Sequence, residues 1–166
     1  DLETDPAADG INMMQPFQAN IEATTEIAAA PAAVFAHWMD PECRKRYEAP
    51  PESGMRYKSF AREQGAVEEI EITHEGAVIG LMKQEIVVLE APRLIISQVT
   101  GTFYGATTLA MQVSIYFEKV GGGTRIRATS HVVDTTGRDV VAEHEAGWAL
   151  MFEKFKEDFA SFGSKS

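Results

Sequence analysis

The C-terminal stretch from Thr136 to Gly163 constrains the fold more than any other part of the chain. Its apolar residues recur every three or four positions, the spacing that places them on one face of an α-helix. They are Val140, Val141, Trp148, Met151, Phe152, Phe155, Phe159 and Phe162, with His144 on the same side. The opposite face carries Glu143, Glu145, Lys154, Lys156 and Glu157. A helix of roughly 25 residues is long enough to cross a whole sheet.

The ends of this helix and one interior position carry their own signals. We expect Thr136 to cap the N-terminus, with Asp139 three residues on. We expect Gly163 to end the helix at a positive φ. Gly147, inside the helix, costs about 0.5–1 kcal/mol relative to alanine. We therefore hypothesise that it marks a close approach of the helix to the first short helix or to a pocket entrance; the alternative is a tolerated surface glycine.

The chain before this helix has the pattern of a sheet interrupted once by short helices. Alternating apolar and polar residues predict a half-buried first strand at Gln18–Ala28. Two short helices follow at Pro31–Met39 and Glu42–Glu48, and Asp40 is placed to cap the second. Six further strands are predicted at Met55–Arg62, Ala66–His74, Val78–Glu90, Leu94–Thr100, Ala106–Lys119 and Thr124–Val133. The turns between them contain Gly or Pro and are short, which implies antiparallel neighbours.

This order of elements predicts an α+β fold. We expect a curved, seven-stranded antiparallel sheet wrapped around the long C-terminal helix, with two short helices after the first strand. A straight helix cannot touch a strongly curved sheet everywhere. The gap between them is therefore a candidate ligand cavity, with an expected volume in the usual range of ~300–1,000 Å³.

Composition and charge exclude several classes of function. The chain has 166 residues and a net charge of −10. An acidic surface disfavours nucleic acid and anionic membranes, and no apolar run is long enough for membrane insertion. The acidic N-terminus lacks the apolar segment of a signal peptide. The single cysteine, Cys43, fits a reducing cytoplasm.

The N-terminal residues differ from the rest of the chain. Residues 1–17 carry four acidic residues, no basic residue and no apolar periodicity. We expect them to form a disordered tail, whose opening dozen residues are also consistent with an expression remnant. Residues 18–163 are expected to form one domain.

Three motifs carry a resemblance to a known family. They are APAAVFAHWMDPE at Ala30–Glu42, EAPRLI at Glu90–Ile95, and GGTR at Gly122–Arg125 followed by HEAGW at His144–Trp148. With the order of elements, they resemble the family named after the activator of heat-shock protein 90 ATPase. That family lies within the START and birch-pollen-allergen superfamily (SRPBCC) of helix-grip folds. The resemblance covers roughly Gln18 to Phe162. Members of the family often have paired tryptophans after the DPE motif, where this chain has Arg46-Tyr47, so ligand preference is not carried over.

The resemblance implies three classes of function. Family members bind small apolar molecules between sheet and helix or stimulate a chaperone ATPase, and relatives act as aromatases and cyclases. The leading hypothesis is therefore a non-catalytic binder of a small hydrophobic ligand such as a lipid, a polyketide or an aromatic compound. The second is an interaction module that docks on a chaperone ATPase in a stress response. The third, weaker hypothesis is a cyclase-like or hydrolytic enzyme that uses His144 and a tyrosine.

The candidate ligand-binding residues follow from the faces that the periodicity assigns. Those expected to face the gap are Phe35, Trp38, Met111, Val113, Ile126, Ala128, Trp148, Met151, Phe152 and Phe155. Tyr47, near the expected mouth, and His144, on the inner face of the helix, complete the set. We assign no catalytic residue and expect no cofactor, and we expect a monomer or weak dimer.

Metal and thiol chemistry have little support in the sequence. His37, His74 and His131 fall on separate elements, and neither HExxH nor paired-cysteine spacing occurs, so we expect no metal site. The basic residues that follow Cys43 are of the kind that lowers a thiol pKa. An ordinary helix thiol is the favoured interpretation.

Overall fold

The structure is a computed structural model that describes residues 15–163. The strands are β1 (Phe17–Ile27), β2 (Met55–Tyr57), β3 (Val67–His74), β4 (Ala77–Glu90), β5 (Leu94–Phe103), β6 (Ala106–Val120) and β7 (Gly123–Asp134). The helices are α1 (Pro31–Met39), α2 (Pro41–Tyr47) and α3 (Val141–Phe162), and a short 3-10 turn at Pro51–Ser53 precedes β2. The tail predicted for residues 1–17 lies outside the described residues up to residue 14, and Phe17 already belongs to β1.

The seven strands form one antiparallel sheet in the order β1-β7-β6-β5-β4-β3-β2. β1 pairs with β7 from Phe17 opposite Asp134 to Ile27 opposite Thr124, so the first and last strands are neighbours. The register shifts in the β3–β4, β4–β5 and β5–β6 pairs, and such irregularities bend a sheet. The predicted α+β architecture, a curved sheet with a C-terminal helix and two short helices after β1, is confirmed.

Alternation along the central strands gives the sheet its inner face. In β6 the buried residues include Met111, Val113 and Ile115, while Gln112 between them is exposed. In β7 the inner positions Ile126 and Ala128 are fully buried. These are the faces that the sequence predicts.

The two short helices close one end of the sheet with aromatic side chains. The ring centroid of Phe35 in α1 lies 5.1 Å from that of Phe117 in β6. Trp38 and Tyr47 lie 5.2 Å and 5.0 Å from Phe155 of α3. The second half of α3 is therefore held tightly, while Trp148 and Met151 in its first half are only partly buried.

The N-terminus of α3 differs from the prediction. Thr136 does not cap the helix, because its N–H and its hydroxyl both donate to the Asp134 carboxylate, at 2.8 Å and 2.5 Å, in the turn after β7. The helix begins five residues later at Val141, whose N–H donates to the Asp139 carboxylate at 3.0 Å. The cap on α2 is confirmed, since Asp40 accepts from the N–H of Glu42 at 2.8 Å.

Two glycine predictions for α3 are also corrected. Gly163 has a φ of −64° rather than a positive value, so the chain leaves the helix in an extended conformation. Gly147 is exposed, and no heavy atom of the described chain lies within 4 Å of a Cβ placed on it, local helix backbone apart. The proposed close approach of α3 to the first short helix is therefore wrong, whereas Gly147 does lie in the wall of the cavity described below, as the second part of that hypothesis placed it.

The predicted second strand, Met55–Arg62, is shorter in the structure and ends at Tyr57. The chain after it turns inward, because the N–H of Ala61 donates to the buried carboxylate of Glu68 at 2.9 Å. A side chain thus takes the hydrogen bond that a strand partner would have taken, and local pattern alone does not reveal this.

Candidate functional site

A cavity of about 650 Å³ lies between the sheet and the first half of α3. At the other end of the sheet α1 and α2 fill the gap, where Trp38 and Tyr47 pack against Phe155 of α3. Apolar side chains from the strands form most of the wall: Met55, Ile70, Ile79, Met82, Val99, Phe103, Leu109, Met111, Val113 and Ile115. The volume falls within the range of small-molecule sites.

The structure brings together seven of the twelve predicted site residues in the cavity wall. These are Trp38, Tyr47, Met111, Val113, His144, Trp148 and Met151. The other five, Phe35, Ile126, Ala128, Phe152 and Phe155, lie in the packed core instead. Their periodicity is as predicted, but α1 covers this end of the sheet, so they contact protein rather than the cavity.

The part of the wall that comes from β3, β4 and β5 was not predicted from the sequence. Val99 and Met82 lie on the inner face, and the alternation of these strands could have identified them. Ile79 and Tyr104 sit at hairpin ends, where only the curvature of the sheet brings them over the cavity. That curvature depends on the register shifts between strands, which have no clear signal in one sequence.

Polar groups line the cavity near the start of α3. Asp134 is held by the hydrogen bonds from Thr136 already described. Arg138 donates to Glu143 at 2.7 Å, and both side chains of this pair are exposed. Burial lowers the pKa of His144, so its imidazole is neutral near pH 7. Their grouping makes this the polar end of an otherwise apolar site.

Tyr104 stands at the open side of the cavity in an unusual backbone conformation. Tyr104 and Gly105 form the two-residue turn of the β5–β6 hairpin, with φ values of 49° and 83°. Positive φ is uncommon for a tyrosine, and asparagine or glycine is the usual choice in such turns. The side chain lines the cavity although it is 83% exposed.

Arg46 and Tyr47, where the chain departs from the family motif, point their side chains to two different parts of the molecule. The Tyr47 side chain lines the cavity, and its hydroxyl donates to the Trp38 carbonyl at 2.7 Å. Arg46 points the other way and donates to Asp158 of α3. The Tyr47 hydroxyl is therefore already engaged in a hydrogen bond within the protein.

A second cluster of polar side chains joins α1, α2 and α3 away from the cavity. His37 Nε2 lies 2.7 Å from the Asp158 carboxylate, and His37 Nδ1 lies 3.6 Å from the Cys43 sulfur. Burial raises the pKa of the Cys43 thiol, the opposite of the shift that its basic neighbours suggest. These three residues lie on different helices, so their meeting has no signal in the sequence pattern. Arg46 already supplies the positive charge opposite Asp158, so we interpret the cluster as a clamp between helices.

The fold and the cavity define the chain as a helix-grip domain with a ligand-sized space under its C-terminal helix. The profile of the family described as "Activator of Hsp90 ATPase homolog 1-like protein" matches residues 28–160. The chain belongs to this family, within the SRPBCC superfamily, as its motifs indicate. No curated protein sequence matches it. Within the described residues, no helix has the length and apolarity needed to cross a bilayer.

Solved structures with little sequence identity share the fold. One from Rhizobium loti has a TM-score of 0.77 at 16% identity and covers 87% of this chain and 99% of its own. One from Rhizobium leguminosarum has a TM-score of 0.79 at 17% identity, with coverages of 89% and 97%. A solution structure from Arthrobacter aurescens has a TM-score of 0.72 at 18% identity and covers 86% of each chain. These likenesses show the fold alone.

Proposed function

We propose that this domain binds a small hydrophobic molecule in the cavity between its sheet and α3. The observation that carries the proposal is the cavity itself, at about 650 Å³ and with a mainly apolar wall. Small-molecule sites in proteins are typically concave, mainly apolar and of this size, with a few polar groups that orient the ligand. The cavity, with its apolar wall and its polar end at the start of α3, has these features.

The wall suits a lipid, a polyketide or an aromatic compound. Trp38, Phe103 and Trp148 offer aromatic faces. Four methionines, Met55, Met82, Met111 and Met151, add flexible side chains that adapt to irregular shapes. We assign ligand contacts to the seven predicted residues in the wall and add the residues from β3 to β5.

The enzymatic alternative has less support than binding. Catalysis would need convergent acid and base groups around the reacting atoms. Tyr47 reaches the cavity, but its hydroxyl is engaged by the Trp38 carbonyl. Arg138 and Glu143 pair with each other. Asp134 lies in the wall near His144, but its carboxylate already accepts from the N–H and the hydroxyl of Thr136.

Docking on a chaperone ATPase, in a stress response, is the second candidate because the family description names that activity. We also propose that the protein is cytoplasmic, in keeping with a single, buried cysteine. We propose a monomer or weak dimer as its oligomeric state. A docking surface would act whether or not the cavity is open, and this separates docking from ligand binding.

Filling the cavity tests the binding proposal. Met111 lines the cavity and Gln112, the next residue of β6, is exposed on the outer face. We expect the parent and Gln112→Trp to bind the neutral apolar probe N-phenyl-1-naphthylamine with equal affinity in calorimetric titration. Met111→Trp should bind it at least about tenfold more weakly, because the indole occupies the space of the probe. A parent that does not bind, or equal affinity in folded Met111→Trp, would contradict the proposal.

A further inference from the structure

Ser130 occupies a position on β7 where an apolar residue would be expected. It lies on the inner face between Ala128 and Val132, and its cross-strand partners are Ile21 of β1 and Val113 of β6. All four of these neighbours are buried and apolar. Ser130 itself is 3% exposed and lines the cavity. A hydroxyl group is therefore presented to the cavity from an apolar surface.

This hydroxyl has no hydrogen-bond partner among the described residues. Buried polar groups in folded proteins are nearly always paired, since leaving one unpaired forfeits its hydration without return. Thr124, another buried residue of β7, follows that rule: its hydroxyl donates to the Ala29 carbonyl at 2.7 Å. The exception at Ser130 is explained if its partner belongs to the molecule that fills the cavity.

The charges on the wall indicate what that molecule carries. Among the described lining residues, Arg138 pairs with Glu143, and Glu48 pairs with Arg44 of α2. Asp134 adds a further carboxylate, whose partners are the N–H and hydroxyl of Thr136. An anionic ligand would therefore meet no unpaired cation in this wall. Its carboxylate would be repelled by the negative charge there. A neutral oxygen meets no such penalty, and a serine hydroxyl both donates to and accepts from it.

We propose that Ser130 anchors a neutral amphipathic ligand by hydrogen bonding its hydroxyl or carbonyl group inside the cavity. The ligand class is an apolar body with a neutral oxygen, such as a phenol, a fatty alcohol or a polyketide ketone, rather than a fatty-acid anion. This inference rests on the proposed binding function and adds the polarity and charge of the ligand to it.

Three probes of similar shape test the anchor: 2-naphthol, 2-methylnaphthalene and 2-naphthoate at pH 7, each measured by displacement of N-phenyl-1-naphthylamine. The parent should prefer 2-naphthol to 2-methylnaphthalene by about five- to tenfold, the worth of one net hydrogen bond, and should bind 2-naphthoate most weakly. Ser130→Ala should abolish the preference by weakening 2-naphthol alone. The control Ser114→Ala, on the neighbouring strand and outside the cavity wall, should keep it.

The outcomes separate the anchor from the binding function. A preference for 2-naphthol that survives Ser130→Ala overturns the anchor while leaving the cavity a binding site. Tighter binding of 2-naphthoate than of 2-naphthol overturns the neutral ligand. If the parent binds none of the probes, the proposed function fails, and the anchor fails with it. Unchanged binding of 2-methylnaphthalene by Ser130→Ala shows that the variant is folded.

Discussion

At the scale of a single residue, replacing Gly147 shows whether helix propensity or packing decides the stability at that position. Because nothing crowds its Cβ position, a methyl group there meets no obstacle. We expect Gly147→Ala to stabilise the protein by up to about 1 kcal/mol, through helix propensity and a less flexible unfolded chain. Urea denaturation measures this difference. A loss of stability would restore the close-contact hypothesis that the structure rejects.

His144 gives a pH dependence whose sign follows from its burial. The folded protein binds a proton at His144 less readily than the unfolded chain, where histidine titrates near pH 6.5. Its contribution to stability is therefore complete above about pH 6.5 and is lost as the pH falls below that value. Glu143 and Asp134 oppose this lowering of the pKa, and Arg138 reinforces it.

We therefore expect the free energy of unfolding to fall less between pH 7.5 and 5.5 in His144→Gln than in the parent. Urea unfolding at the two pH values measures both losses, and groups distant from His144 contribute equally to each protein. An equal or greater loss in His144→Gln would show that burial does not set the protonation of this residue.

At the scale of elements, α2 is fastened to β3 by a buried ion pair. Arg44 donates to both oxygens of Glu68, at 2.8 Å and 2.7 Å, and to Glu48 at 2.8 Å. Arg44 is 4% exposed and Glu68 is fully buried. Burial raises the pKa of Glu68, while the guanidinium favours its charged form. Without Arg44 the carboxylate would stay buried with no opposite charge beside it, and would keep only the hydrogen bond from the Ala61 N–H.

We expect Arg44→Met to destabilise the protein by about 3–5 kcal/mol, because breaking a buried pair costs far more than the pair contributes. Arg125→Met is the matched control, since Arg125 forms an exposed pair with Glu26 at 3.0 Å. It should change stability by no more than about 0.5–1 kcal/mol. Chemical denaturation of both variants compares them, and similar small losses would mean that the buried pair does not hold α2 to the sheet.

The elements themselves could be predicted from the sequence, but the start of α3 and the end of β2 could not. The three-to-four spacing in α3 and the alternation in β6 and β7 report local burial directly. The start of α3 depends on Asp134, which takes the hydroxyl of Thr136 that would otherwise cap the helix. The end of β2 depends on Glu68, a residue that becomes a hydrogen-bond acceptor only after β3 has paired. Both ends are decided by contacts that form between elements.

For the whole molecule, the division of the sheet–helix gap into a filled end and an open end is the main feature. The aromatic side chains of α1 and α2 pack against Phe155 and fill one end. The other end, under Trp148, keeps the cavity. Periodicity identified which residues face the gap, but not which end of it is filled. That depends on where α1 docks, and so Phe35 and Phe152 were predicted to line the cavity although they lie in the core.

The seven methionines allow the most direct test that a ligand occupies this cavity. Met55, Met82, Met111 and Met151 line it, whereas Met39 in α1 packs against the core outside its wall. With methionine methyl groups labelled with ¹³C, saturating N-phenyl-1-naphthylamine should shift the resonances of the four lining residues and leave Met39 in place. If the probe binds and the four lining methyl groups do not shift, or Met39 alone responds, the ligand lies elsewhere and the account of the cavity is wrong.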